Sequence, residues 1–116
     1  GIGPFVVGPA VERKLGTSAF SAMTINATKW FDASWAREKG LYTEVFETTE
    51  EMDVEIEKLA STLSESNPEA MEGLKKVMWE GTDHWDALLM ERAENSGKLV
   101  LSNFTKNAIE KFKSKK

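Results

Sequence analysis

The amino-acid sequence predicts a mainly α-helical fold with one short strand. Apolar residues recur at helical spacing through most of the second half. Helix-starting residues stand just ahead of these runs: Asp32, Thr48, Asn67-Pro68 and Ser102. One stretch, residues 41–46, alternates instead.

Residues 1–8 (GIGPFVVG) read as a loop or short extended piece. Pro9 suits the first turn of a helix reaching about Leu15, closed by Gly16. Thr17 or Ser18 is positioned to cap a second short helix carrying Ala19, Phe20, Met23 and Ile25. Asp32 is a good N-cap for residues 33–39, and Gly40 a good residue to end them. Leu41-Tyr42-Thr43-Glu44-Val45-Phe46 then predicts one strand, which must pair with something else or lie against helices.

Beyond it the chain reads as helix. Thr48 or Thr49 caps a run to Ser64, whose Met52, Ile56, Leu59, Ala60 and Leu63 predict one buried face. Asn67-Pro68-Glu69 starts a helix with Met71, Leu74, Val77 and Met78 that stops near Gly81. Thr82 or Asp83 is expected to cap the next helix, from Trp85 through Leu101. Gly97 inside it costs about 1 kcal/mol relative to alanine and points to close packing or a bend. Ser102 or Asn103 opens a last helix through Ala108, Ile109 and Phe112.

Composition excludes several functions. With 116 residues the chain holds one domain at most. It has no Cys, so a disulfide framework and a thiolate site are ruled out. No apolar run approaches the ~20 residues of a membrane span. The net charge of −4 argues against nucleic-acid binding, and it is unevenly distributed. Seven acids and no base lie between Glu44 and Glu57, whereas Lys98 to Lys116 holds six Lys and one acid. The acidic run suits a helix start and a solvated face; the basic tail suits a helix end, or an anion such as phosphate. His84 has no second His or Cys to share a metal, and reads as an exposed or capping residue. Glu50/Glu51 and Glu91/Glu94 fit solvent-side helix positions better than a catalytic pair. Trp30, Trp35, Trp79 and Trp85 are core or interface residues. The chain opens Gly1-Ile2-Gly3-Pro4, without an initiator Met, and this reads as the middle of a protein.

The order of signals resembles one family. Pro4 is followed by Gly8-Pro9, Leu15-Gly16, and then Asp32, Ala36 and Gly40-Leu41 running into Val45. Ser66-Asn67-Pro68-Glu69-Ala70 with Lys75-Lys76 comes next. This resembles the C-terminal part of the crotonase family, the enoyl-CoA hydratases and isomerases. Pro4-Phe5-Val6-Val7-Gly8-Pro9 looks most like its methylglutaconyl-CoA hydratase-like branch. Ile25-Asn26-Ala27-Thr28 departs from the family's Leu-Thr-Gly stretch, and the glycine pair usual after the loop proline is absent.

The resemblance implies the helical C-terminal part of the α/β crotonase fold, with residues 1–46 ending the core. Residues 47–116 would form the helical region for trimerisation and CoA contact. It implies a lyase of fatty-acid or branched-chain amino-acid catabolism, reversibly hydrating a 2-enoyl-CoA. Such an enzyme would be cytoplasmic, a trimer or dimer of trimers, with no cofactor beyond its CoA thioester substrate. The family's two glutamates and its oxyanion donors would lie upstream of Gly1, so no catalytic residue and no metal ligand is expected here. The substrate-binding residues it implies are Pro4, Phe5, Val100, Phe112 and Lys115, with Lys115 toward a CoA phosphate. A crotonase-fold isomerase shares this half; a stand-alone helical interaction module is the other reading. The piece alone is expected to be inactive, and unstable or oligomeric, with Trp30, Phe31, Val45 and Phe46 as exposed apolar surface.

Overall fold

The computed structural model describes residues 2–114 as six helices, joined by short turns except for the longer connections 26–32 and 39–48. They are α1 (Gly8–Ile25), α2 (Ala33–Glu38), α3 (Thr49–Ser64), α4 (Pro68–Met78), α5 (Trp85–Val100) and α6 (Asn103–Lys113). Local chemistry sets most of their ends. Asp32 accepts from the Trp35 N–H at 2.7 Å, Thr48 from Glu51 at 3.2 Å, Asn67 from Glu69 at 3.0 Å and Ser102 from Thr105 at 3.3 Å. Each bond satisfies a donor that the first turn leaves unpaired. The Glu51 carboxylate reaches back to the Glu47 N–H at 3.2 Å, so both sides of the α3 start are tied.

Glycine governs the breaks. Gly16, at φ 73° and ψ 160°, kinks α1 into the two segments that the sequence predicts. Gly40, at φ 81°, ends α2 in a Schellman arrangement. The Leu41 N–H donates to the Ala36 carbonyl at 2.8 Å and the Gly40 N–H to that of Arg37 at 3.1 Å.

Three local expectations are corrected. Thr17 does not cap the second segment of α1; its hydroxyl donates to the Glu12 carboxylate at 2.8 Å, bracing the kink. Neither Thr82 nor Asp83 caps α5. Its N-cap position is His84, with no side-chain bond, while the Thr82 hydroxyl donates to the Trp79 carbonyl at 2.7 Å. The turn after α4 claims the hydroxyl before the helix can. Third, residues 41–46 form no strand, and none occurs among the described residues. A strand exists only as one of a hydrogen-bonded pair, and among the described residues the N–H groups of residues 43–46 donate to no backbone carbonyl.

The helices do not close around a core. Ala36 is the one buried hydrophobic side chain among the described residues, at 6% exposure. The face of α3 expected to be buried is open, with Ile56, Leu59 and Leu63 all more than half exposed. Trp30 is almost fully exposed, whereas Phe31 is half-buried and packs on Trp35 at 4.2 Å between ring centres. Gly97 has open space where a Cβ would sit, so no close packing within the chain explains it. Among the described residues α5 and α6 are the one pair whose backbones pack closely. Accessible area is 9638 Å², against about 6,300 Å² for a compact monomer of this mass. The radius of gyration is 18.8 Å, against about 13 Å for a compact domain of this length.

Candidate functional site

One tie crosses the molecule. The Arg13 guanidinium, from the first segment of α1, donates to the carbonyls of Met78 and Glu80 at the end of α4. Met78 ends α4 and its carbonyl carries the negative end of the helix dipole, with Glu80 in the turn beyond, so a cation is favoured there. Arg13 also lies 5.8 Å from the centre of the Trp79 ring, which meets Trp85 edge-on at 5.8 Å. Gly81, at φ 79°, reverses the chain between the two tryptophans.

Beside this tie is a concavity of about 370 Å³ between α1 and the start of α5. Gly8, Pro9, Phe20, Trp85, Leu88 and Arg92 line much of it. Gly8 suits the packing: a Cβ there would lie 3.2 Å from the Phe20 ring, which would have to shift to admit it. Arg13 and Arg92 supply positive charge, and the one carboxylate, Glu12, is already bonded to Thr17. Such a lining suits an anion or an aromatic group. Thr17 and His84 complete the polar side of the lining. Among the described residues no three His, Asp or Glu side chains gather in a way that could hold a metal.

A second concavity, about 510 Å³, lies between residues 41–46 and α3. Leu41, Tyr42, Phe46, Ile56 and Leu59 make it apolar, and Glu44 and Glu55 stand within its lining.

The implied binding residues are scattered. Pro4 and Phe5 sit in the turn before α1, where the Phe5 N–H donates to the Gly3 carbonyl at 2.8 Å. The half-buried Phe5 ring covers Gly3 so closely that a Cβ there would lie 2.8 Å from it. Val100 ends α5 at 42% exposure, and Phe112 projects from α6 at 68%. Pro4, Phe5, Val100 and Phe112 line neither concavity. Lys115 lies outside the described residues. His84 is exposed and lines the first concavity, and its side chain makes no capping bond to α5. Arg13 was not signalled by spacing, since its partners lie 65 and 67 residues away. The aromatic pair left a weak trace, a Trp on each side of Gly81.

No family model matches the chain, and no curated protein or solved structure shows significant similarity to it. No helix among the described residues is long and apolar enough to cross a membrane.

Proposed function

We propose that this chain is the helical C-terminal part of a crotonase-family acyl-CoA hydratase. The reaction would be reversible addition of water across the 2,3-double bond of an enoyl-CoA. The chain would supply oligomer contacts and part of the acyl-CoA pocket. Pro4 and Phe5 would flank the acyl group, Val100 and Phe112 would give apolar contact, and Lys115 would meet a CoA phosphate as a point charge.

The observation that carries the reading is the unfinished surface. The chain exposes about 3,300 Å² more than a compact monomer of its mass. A standard interface buries only about 800 Å² per partner, so a single small contact would not cover the excess. A helical layer completed by a larger core and by neighbouring subunits accounts for it. The motif order from Pro4 to Lys76 supplies the family, and the cation-lined concavity at the start of α1 is compatible with an anionic thioester substrate.

The test is the coding sequence ahead of Gly1, together with the activity of the polypeptide it encodes. The reading expects an open frame with a glutamate a few residues before Gly1, and enoyl-CoA hydration by the longer polypeptide. A start codon directly ahead of Gly1 would overturn it. The 116-residue chain alone is expected to hydrate crotonyl-CoA no faster than buffer, because the acid–base pair would lie outside it.

A further inference from the structure

We propose that residues 42–47, a backbone segment without ladder partners, take up one β-strand of a partner polypeptide, an alternating apolar strand with a cationic flank. Four observations meet at this segment. The first is its backbone. Among the described residues, the N–H groups of Thr43, Glu44, Val45 and Phe46 donate no hydrogen bond. The carbonyls of residues 42–46 accept none. Its two ends are held: the Tyr42 N–H bonds the Ala36 carbonyl at 3.2 Å, and the Glu47 N–H bonds Glu51. The open donors and acceptors therefore sit on a short span fixed at both sides.

The second is composition. Tyr42, Thr43, Val45 and Phe46 are strand-favouring types, with no Gly or Pro among them. The third is the apolar concavity alongside, walled by Phe46, Ile56 and Leu59. Tyr42, Ile56 and Leu59 are each at least half exposed, so covering them is favourable. The fourth is charge, the seven acids and no base from Glu44 to Glu57.

Together these select the occupant. An apolar helix laid over the concavity would shut the open backbone groups away from water without partners. Each buried group left so would cost about 1–3 kcal/mol. A strand bonds them while its side chains fill the apolar concavity, the mode known as β-augmentation. The acidic flank favours lysine or arginine on the incoming strand and repels an acidic one.

The experiment follows amide hydrogen exchange of the full chain by nuclear magnetic resonance. The probe is a blocked seven-residue peptide of alternating valine and threonine with lysine at each end. Strand pairing would slow exchange about tenfold or more at alternate amides, either Thr43 and Val45 or Glu44 and Phe46. The same peptide N-methylated along its bonding edge should give no protection, and one with glutamate ends should bind at least about tenfold more weakly. Proline at a protected position, Val45→Pro in the first register or Phe46→Pro in the second, should abolish protection while helix content by circular dichroism stays unchanged. Absence of binding, equal protection by the N-methylated peptide, or uniform protection of the segment would overturn the proposal. So would protection produced by raising the chain's own concentration without peptide, which would mark the face as a contact between copies.

Discussion

The region around Arg13, Trp79 and Trp85 and the region from Leu41 to Leu63 contain similar materials. Each has helix ends made by local caps or glycine turns, and each has large apolar side chains. They differ in what lies opposite. In the first, α1 reaches the end of α4 through Arg13, and Trp79 and Trp85 meet edge-on. In the second, Met52, Val54, Ile56, Leu59 and Leu63 are all exposed. Helical spacing thus sets which side of a helix could be buried, and only a facing surface decides whether it is. An amphipathic pattern is a statement about compatibility, not about contact.

That contrast can be broken by substitution. Trp85→Ala should have the largest effect, about 2 kcal/mol, because Trp85 is half-buried and pairs with Trp79. Urea unfolding followed by circular dichroism checks it. A loss under about 0.5 kcal/mol would place the cluster with ordinary surface positions. Gly40→Ala should cost about 1–2 kcal/mol, since φ 81° is a left-handed conformation that a Cβ disfavours. Gly73→Ala should act in the opposite direction, stabilising by about 0.5–1 kcal/mol, because it lies within α4 with open space around its Cβ position. Asn67→Ala should cost about 1 kcal/mol through loss of the bonds to Glu69 and Ala70. Ile56→Glu should change stability least, within about 0.5 kcal/mol, since the side chain is already 54% exposed. A loss several times larger would show that α3 is covered in solution, and would remove the contrast.

The helix ends were largely legible in the sequence because their causes lie within a few residues. Asp32, Thr48, Asn67 and Ser102 each bond an N–H two or three positions on, and Gly16, Gly40 and Gly81 all adopt positive φ. Where two local demands compete the reading failed: Thr82 serves the turn after α4 and leaves α5 without a side-chain cap. The strand failed for a different reason. Residues 41–46 have the composition of a strand, but pairing is a property of two segments. The site was less legible still. Pro4, Phe5, Val100 and Phe112 are implied by the resemblance alone, and they line neither concavity. Arg13, which ties two distant parts of the chain, sits in a helix where nothing about its neighbours marks it.

The Arg13 tie also bears on the order in which the chain acquires its structure. It joins residues 65 positions apart, so forming it must close a long loop containing α2, α3 and most of α4. Closure of that length costs about 4 kcal/mol in chain entropy, whereas helices nucleate locally. The helices should therefore appear within microseconds, with Arg13 docking on the end of α4 as a later and slower phase.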